Sequence, residues 1–371
     1  MIASALVIGG GIAGMSAALV LSRLGVTVDM IDADPEWRTY GAGISVTGTS
    51  LRALDDLGLL DEVRARGSVA SGIKGRSPDG SILFQVPPSP DTPPIQCSGG
   101  IMRSELHEIL SLRVKASPVK VRLGLKVASM DDQGDRVAVA FSDGTQGNYD
   151  LVVGADGIYS QTRSALFPDA PPATFTGQGC WRAVAPRPEG MTGIEMFFGG
   201  QVKLGFNPVS PTHMYMFALE NVPDNPRYSE SELVDRLKAL LSGFGSYVTQ
   251  VRDGLGAHSL VNYRPLEWQL LADPWYKGRV VLIGDAAHAT TPHMASGAGM
   301  AIEDALVLGR ELAAHDSVAP ALAAFMAHRF ERARIVVENS VRIGTIEMTG
   351  GDQVEANRML GGTLAALQQP Y

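Results

Sequence analysis

Cysteine is nearly absent from this sequence of 371 residues. Only Cys97 and Cys180 occur, and two cysteines cannot cross-link a chain of this length. A secreted scaffold held together by disulfide bonds is therefore excluded. The low cysteine content favours a reducing compartment, and we expect a cytoplasmic protein.

Metal-ligand motifs are also missing. The seven histidines show no ligand spacing. His288 and His293 are five residues apart in the sequence, so they would not share one face of a helix. We therefore expect no metal site.

The sequence has neither long runs of like charge nor an unbroken apolar span. A net charge of −8 without such runs indicates no nucleic-acid surface and no polybasic membrane patch. Residues 1–24 are apolar, but no basic segment precedes them, and four glycines interrupt them: Gly9, Gly10, Gly11 and Gly14. We therefore expect neither a signal peptide nor a membrane span there.

A strand–helix–strand pattern opens the chain. Residues 3–8 have the character of a buried strand, residues 14–24 that of a helix stopped by Gly25, and residues 26–31 that of a second strand. This order predicts a parallel sheet with right-handed crossovers. Further strands are predicted at residues 137–141, 151–153 and 279–283, and helices at residues 51–57, 104–114, 231–241 and from 300 onward.

The middle of the chain has a different pattern. Between residues 174 and 268, alternating aromatic strands at 196–198, 202–206 and 214–218 predict an antiparallel meander. We expect an α/β fold: a Rossmann-like dinucleotide-binding domain with a parallel sheet, an inserted, mostly antiparallel substrate domain, and C-terminal helices. The first domain is predicted from residues 1–72, 99–173 and 269–371, and the second from residues 73–98 and 174–268.

A glycine-rich turn joins the first strand to the first helix. In the segment from Gly9 through Gly11 and Ala13 to Gly14, the first glycine makes the turn and the second admits a pyrophosphate. The third glycine lets the helix pack closely on the strand, and the phosphate binds at the helix N-terminus. Asp32 ends the second strand, where an acid accepts the ribose hydroxyls of an adenosine. This motif alone does not separate FAD from NAD.

Two further motifs extend the pattern. Residues 282–288 (LIGDAAH) follow a strand, and Pro292 and the segment from Gly297 to Gly299 precede a helix; Asp156 and Gly157 end another strand. Together these motifs resemble those of the flavoprotein aromatic hydroxylases, the class A flavin monooxygenases, over residues 2–345. The resemblance implies bound FAD, with NADH or NADPH and O2 as co-substrates. It also implies hydroxylation of a small aromatic or N-heteroaromatic ring through a flavin hydroperoxide.

The resemblance also assigns cofactor contacts. It implies that Asp285 holds a ribityl hydroxyl, that Arg103 lies against the flavin or its diphosphate, and that Arg38 lies near the adenosine. Gly43 belongs to a segment that passes the isoalloxazine ring, and Asp156 to one that contacts FAD. Backbone N–H groups of Gly297, Ala298 and Gly299 would serve the pyrimidine end of the ring, and Pro292 of the same motif is also expected to contact the cofactor.

The sequence departs from the family pattern at several positions. Asp32 replaces a usual glutamate, Ala295 a usual glycine, and Met300 a frequent glutamine. No side-chain amide is therefore available beside the flavin at position 300. A helix N-terminus at residues 297–300 would still stabilise the negative charge of the reduced ring.

The substrate side is predicted from strand alternation. His213, Tyr215 and Phe217 should share one face of a strand. Tyr215 matches a substrate-facing tyrosine of salicylate-type hydroxylases, and simple packing of the sheet is its alternative role. Phe206 is grouped with Tyr215 and Phe217 as an aromatic that faces the substrate, and it replaces a histidine of those enzymes. His213, Tyr215 and His293 are the candidate catalytic residues, and Trp181 and Arg182 are expected to support the structure.

Two other functions stay open at this stage. One is a monooxygenase of a larger polycyclic substrate, of the tetracycline-inactivating type. The other is a flavin-binding redox sensor without turnover. The sequence does not distinguish NADH from NADPH, and we expect either a monomer or a homodimer.

Overall fold

A computed structural model describes residues 2–39, 41–70, 72–87, 93–199 and 202–371. Its helices range from single turns to a segment of 32 residues. In chain order they are α1 (Ile12–Arg23), α2 (Gly48–Asp56), α3 (Leu60–Arg66), α4 (Arg103–Lys115), α5 (Gln161–Leu166), α6 (Glu230–Leu241), α7 (Tyr247–Gly254), α8 (Asp285–His288), α9 (Gly297–Ala314), α10 (Val318–Thr349) and α11 (Gln353–Gln368).

The strands form four sheets. In chain order they are β1 (Ser4–Ile8), β2 (Thr27–Asp32), β3 (Gly43–Val46), β4 (Ser68–Ala70), β5 (Ile73–Arg76), β6 (Ile82–Val86), β7 (Ser98–Met102), β8 (Lys120–Leu123), β9 (Val127–Asp132), β10 (Val137–Phe141), β11 (Gln146–Tyr149), β12 (Leu151–Gly154), β13 (Thr174–Pro186), β14 (Ile194–Phe197), β15 (Lys203–Pro208), β16 (His213–Asn221), β17 (Val261–Trp268), β18 (Tyr276–Lys277) and β19 (Val280–Leu282).

The first sheet has the order β18-β19-β12-β1-β2-β8. Its strands pair in parallel except for β18, which runs antiparallel to β19. Helices including α1 and α9 pack on one face. The three-stranded sheet β11-β10-β9 covers the other face, where Leu6 and Val152 meet Val139 and Phe141. The predicted parallel sheet is confirmed, although β-strands rather than helices cover one side.

The largest sheet has the order β17-β13-β16-β15-β14-β5-β6. It is antiparallel except where β14 pairs in parallel with β5. The predicted meander is confirmed in β14, β15 and β16. Residues 73–86 join this sheet as β5 and β6. The α/β fold with a separate antiparallel sheet is therefore confirmed, while the residue boundaries of the two domains stay a prediction.

The two faces of the seven-stranded sheet have different neighbours. Trp181, Phe206 and Met216 lie in an apolar core with α6 and α7. On the opposite face, Tyr215 and Phe217 pack with a cluster that includes Ala42 of the loop before β3. The expectation that Phe206 shares the face of Tyr215 is wrong. Phe206 pairs across the ladder with Met216, one residue out of phase, so its ring points to the helices.

The C-terminal part of the chain is helical, as predicted. The helix expected from residue 300 begins at Gly297 as α9. One short interruption separates α9 from α10, and a second separates α10 from α11. Gly350 ends α10 in the left-handed conformation, with φ +64°. No helix of the described ranges is long and apolar enough to cross a membrane.

Candidate functional site

The glycine turn after β1 is tightly packed on one side and open on the other. Gly9 has φ +105°, and a Cβ there would overlap the Ala155 carbonyl oxygen. A Cβ on Gly14 would overlap the Gly9 carbonyl oxygen, which explains the close packing of α1 on β1. A Cβ on Gly11 would meet no atom within 4 Å. Gly11 is the N-cap of α1 and has no side chain to cap the free N–H groups of the helix. The first turn of α1 contains no acidic residue. The N-terminus of α1 is therefore open to an anion.

The acid at the end of β2 is fixed by the backbone. Asp32 Oδ2 accepts from Gly10 N at 2.6 Å, and Oδ1 accepts from Asp34 N at 2.7 Å. Trp37 donates from Nε1 to the Gly10 carbonyl at 2.8 Å and covers the same turn. Sequence reasoning missed Trp37, because its approach to Gly10 depends on the loop conformation, with φ +52° at Trp37. Arg38, predicted near the adenosine, is exposed and lies 3.0 Å from Asp34 Oδ2.

Asp285 and Arg103 face a cleft inside the molecule. Both side chains have exposed surface. Even so, burial raises the pKa of Asp285 and lowers the pKa of Arg103. Each group also favours the charged form of the other. Groups that are desolvated by surrounding protein and yet have accessible surface line an internal cleft rather than the outer surface.

The turn before Asp285 is held from behind. Asp304 Oδ2 accepts from Gly284 N at 2.8 Å and lies 2.6 Å from His288 Nε2, and Arg329 Nε donates to Oδ1 at 2.7 Å. Although burial alone would raise the pKa of Asp304, His288 and Arg329 lower it to about 2. Gly284 has φ +59°, and a Cβ there would lie 2.8 Å from Ala13 Cβ. Sequence reasoning missed this network, whose members are distant in the chain.

Asp156 holds its own loop. Its Oδ2 accepts from Thr162 N and Thr162 Oγ1, both at 2.9 Å, so the carboxylate stabilises the start of α5. Arg163 is buried and donates from Nη1 to the Ala286 carbonyl at 2.9 Å. This bond joins α5 to α8. A direct contact of the Asp156 side chain with a cofactor stays a prediction.

The start of α9 is a second open helix N-terminus. Its N-cap Ser296 makes no side-chain cap, and the first turn contains no acid. The segment Gly297, Ala298 and Gly299 predicted from sequence forms this first turn, and Pro292 begins a 3₁₀ turn just before it. Ala295 is left-handed, with φ +48°, a conformation that glycine adopts without strain.

The seven-stranded sheet packs against the loop before β3. A Cβ on Gly43 would lie 2.5 Å from Tyr215 Cβ, and a Cβ on Gly41 would lie 3.2 Å from Arg103 Cδ. Tyr215 is 6% exposed, and Arg182 Nε donates to its Oη at 3.3 Å. The loop at residues 41–43 therefore lies between the Arg103 side of the cleft and the sheet.

The two candidate catalytic histidines lie apart from the contact between Gly43 and Tyr215. His213 is exposed at the start of β16, and its Nδ1 lies 2.9 Å from Thr212 Oγ1. The His293 side chain is 1% exposed, with Nδ1 2.9 Å from Thr291 Oγ1 and Nε2 3.4 Å from Glu347 Oε2. Burial lowers the pKa of His293. This geometry suits a support for the turn before α9, and a catalytic role for either histidine stays a prediction.

The residues present fit FAD. Within the described ranges no hydrogen bond satisfies the desolvated carboxylate of Asp285, so it is available to a hydroxyl donor such as a ribityl group. The open N-terminus of α1 suits a diphosphate, and that of α9 suits the anionic edge of a reduced flavin.

Comparisons with known proteins agree with this geometry. The family model described as "FAD binding domain" matches residues 3–192 and 245–340. The chain belongs to the class A flavoprotein hydroxylase family of FAD-dependent monooxygenases. The predicted family and its flavin cofactor are thereby confirmed.

Individual members of the hydroxylase family match most of the chain. The putative FAD-dependent monooxygenase YetM of Bacillus subtilis is 32% identical, over 99% of each chain. The 2-heptyl-3-hydroxy-4(1H)-quinolone synthase of Pseudomonas aeruginosa is 35% identical, over 82% of this chain and 79% of its own. The crystal structure of Klebsiella pneumoniae HpxO with FAD and uric acid has a TM-score of 0.85 at 25% identity, and the match covers 98% of this chain and 96% of HpxO.

Proposed function

We propose that this protein is a single-component hydroxylase that uses FAD, NADH or NADPH, and O2 to hydroxylate a small aromatic or N-heteroaromatic ring. The observation that carries the proposal is that Arg103 lies near both Asp285 and Tyr215, since the charges of both groups act on its guanidinium. The carboxylate of Asp285 would accept a hydrogen bond from FAD, and Tyr215 belongs to the aromatic face of the seven-stranded sheet. Two of the relatives named above are linked to N-heterocycles by their names, one as the synthase of a quinolone and the other in a complex with uric acid.

Each part of the cleft has a role in this proposal. The turn from Gly9 to Gly14 and Asp32 would hold the adenosine diphosphate, Asp285 and Arg103 the ribityl and flavin region, and residues 297–299 the pyrimidine edge. Bound FAD, once reduced by NADH or NADPH, would activate O2, so that one oxygen atom enters the ring and the other leaves as water. Tyr215 and Phe217, with ring centroids 6.0 Å apart, would form an apolar wall that positions the substrate ring and excludes water.

The protonation state of Tyr215 limits its role. Burial raises the pKa of its phenol, and the charges of Arg182 and Arg103 only partly oppose this. The phenol is therefore protonated at neutral pH and acts as a hydrogen-bond donor or acceptor rather than as a base. Tyr215 would orient a substrate oxygen in this way.

Substrate-dependent reduction tests the proposal. We expect an aromatic substrate to accelerate NADH or NADPH oxidation by the FAD-loaded protein, with one atom of ¹⁸O2 appearing in a hydroxylated product. Reduction of the flavin by NADH or NADPH should be faster with substrate, because the substrate would stabilise the position of the flavin that is exposed to the nicotinamide. Stopped-flow absorbance of the flavin, with and without substrate, measures this. A panel of hydroxylated rings that yields no ¹⁸O-labelled product would reject the hydroxylase, and reversible reduction without turnover would favour the redox sensor.

The size of the compounds that are hydroxylated tests the remaining alternative, a monooxygenase of a larger polycyclic substrate. If only polycyclic compounds give the labelled product, the protein is a large-substrate monooxygenase. If one-ring and two-ring compounds give it, the small-ring proposal holds.

A further inference from the structure

A buried group of polar side chains lies behind the turn that precedes α9. His293 belongs to this turn, and its side chain is 1% exposed. The turn packs against α10, where a Cβ on Gly344 would lie 2.8 Å from His293 Cε1 and 3.0 Å from Nε2. The imidazole is therefore held in one position, just before the open N-terminus of α9 at Gly297.

The two nitrogens of this imidazole have different surroundings. Nδ1 lies 2.9 Å from Thr291 Oγ1, which can accept the Nδ1 proton and leave Nε2 as an acceptor. Nε2 lies 3.4 Å from Glu347 Oε2, and within the described ranges neither atom has a hydrogen-bond partner. Gln178 Oε1 is a further buried acceptor without a partner there, 3.0 Å from the Cβ position of Gly344. Since buried acceptors are normally hydrogen-bonded, this group has room for one more proton.

Two charged groups act on His293. Glu347 on α10 favours the protonated imidazole, whereas Lys203 on β15, which donates to Glu347 Oε1 at 2.6 Å, opposes it. Burial has the largest effect and lowers the pKa of His293, so the imidazole is neutral at neutral pH. The other elements at this turn present neutral groups, which are Gln178 on β13 and apolar residues of α11 such as Met359.

A path for protons leads from the surface to His293. The side chains of Lys203 and Glu347 are 28% and 19% exposed, whereas the imidazole is buried. Glu347 has one oxygen, Oε1, on the Lys203 side and the other, Oε2, beside the buried Nε2. A carboxylate in this place can pass a proton from water to Nε2 without a movement of the backbone.

We propose that His293 takes up a proton at Nε2 when bound FAD is reduced. A hydride brings two electrons and one proton to the isoalloxazine and leaves it with one negative charge, and a second proton passes from water through Glu347 to His293. Negative charge at the start of α9 raises the proton affinity of the imidazole behind it, and the imidazolium stabilises that charge in return. This proton uptake goes beyond the proposed hydroxylation and needs no substrate.

The pH dependence of the reduction potential tests this inference. The FAD-loaded protein is reduced without air, against an indicator dye, across about pH 5 to 8. Uptake of one proton per two electrons sets the slope of the potential against pH when the isoalloxazine alone is protonated. The slope should double in a pH window that begins on the acid side of 6.5, the ordinary histidine pKa. This window lies between the pKa of His293 in the oxidised protein and its higher pKa in the reduced protein.

Nuclear magnetic resonance measures the proton affinity of His293 directly. The signal is assigned by its loss in His293→Gln and is titrated in the oxidised and in the reduced protein. The proton affinity should be at least about tenfold higher in the reduced protein, because one charge near a poorly solvated group shifts its pKa by about one unit or more.

A matched pair of variants assigns the second proton to His293. In His293→Gln the slope of the potential should correspond to one proton throughout the window. His328→Gln is the control, because His328 is an exposed histidine of α10 that lies near Glu311. This control should retain the doubled slope.

Two charge variants decide the question if His293→Gln does not retain FAD. Lys203→Met should move the window to higher pH, because it removes a cation that opposes protonation of the imidazole. Glu347→Gln should move the window to lower pH, because it removes the anion that favours protonation. A merely structural role of these residues would not produce shifts of opposite sign.

The opposing results are distinct. A single slope at every pH, equal pKa values of His293 in the two redox states, or an unmoved window in both charge variants would overturn the inference. A doubled slope that persists in His293→Gln, with the absorbance of a neutral reduced flavin, would place the second proton on the isoalloxazine instead. Since no measurement uses a substrate, a protein that shows the proton uptake and hydroxylates no ring would lose the proposed function and keep this proton site.

Discussion

At the scale of single residues, Asp285 shows how the surrounding chain prepares a carboxylate for a ligand. The turn that carries it is fixed by the buried Asp304 and by the close contact of Gly284 with Ala13. Burial raises the pKa of its carboxyl group, and no hydrogen bond of the described residues satisfies it. A hydroxyl donor that reaches this position therefore gains a hydrogen bond that water supplies poorly.

Replacing this acceptor should weaken FAD binding. We expect Asp285→Ala to cost about 1–3 kcal/mol of binding free energy, the range for leaving a buried polar group without its partner. Quenching of FAD fluorescence on titration into the apoprotein measures the affinity. Asp235→Ala, an exposed position on α6, is the control. Wild-type affinity in the Asp285 variant would show that this carboxylate does not contact the cofactor.

Sequence reasoning predicted the local geometry of the glycine motif, whereas the cofactor contacts of Asp285 and of the glycines stay predictions. The tight turn at Gly9 and the close packing at Gly14 follow from a few neighbouring residues. Trp37 and Asp304 were missed, because each acts on a turn through a contact formed only in the folded chain. Their sequence neighbourhoods carry no signal that separates them from ordinary core residues.

At the scale of elements, two glycines of the segment that joins β1 to α1 should have different roles: Gly14 is needed for folding and Gly11 for ligand binding. A Cβ on Gly14 would overlap backbone, whereas one on Gly11 would meet no protein atom within 4 Å. Gly14→Ala should therefore lower the stability of the apoprotein by about 1–3 kcal/mol through overpacking. Gly11→Ala should leave apoprotein stability nearly unchanged and weaken FAD binding, because the added methyl occupies space for the pyrophosphate.

Urea unfolding of the two apoproteins and FAD titration measure these separate effects. Gly361→Ala, at an open position of α11, is the control for the substitution itself. Equal FAD affinity of Gly11→Ala and wild type would place the diphosphate elsewhere.

Prediction from sequence succeeded for elements with local signals and failed where pairing is distant. The helix predicted at residues 104–114 is observed at Arg103–Lys115, and the one at 231–241 begins with a capping box at Ser229 and Glu232. The face of Phe206 was assigned wrongly, because side-chain direction depends on the register with β16. Register is set by pairing between strands, which a single strand sequence does not specify.

At the scale of the whole molecule, distant parts of the chain build one cleft. The glycine turn near residue 10, the loop at residues 41–43, Arg103 and the turn at Asp285 all contribute to it. A ligand that contacts all of them stabilises the folded state as a unit. FAD at a thousand times its dissociation constant should add about 4 kcal/mol to the free energy of unfolding.

Removal of FAD should therefore lower the melting temperature, and added FAD should restore it. Differential scanning calorimetry of the holoprotein, the apoprotein and the reconstituted protein measures the change. Riboflavin, which lacks the diphosphate and adenosine, should restore much less. Equal melting temperatures of apoprotein and holoprotein would contradict a cofactor site built from these segments.

The order of strands in the parallel sheet has a consequence for biosynthesis. β1 lies between β2 and β12, and β12 lies between β1 and β19. β12 begins only at Leu151, and β19 only at Val280. At about 5–20 residues added per second, the ribosome needs on the order of ten seconds to supply each missing neighbour. During that time the N-terminal half of the nascent chain exposes an apolar strand whose edge has no partner strand. The danger of misassembly for this protein therefore lies during translation, and chaperones that hold nascent chains are the natural protection.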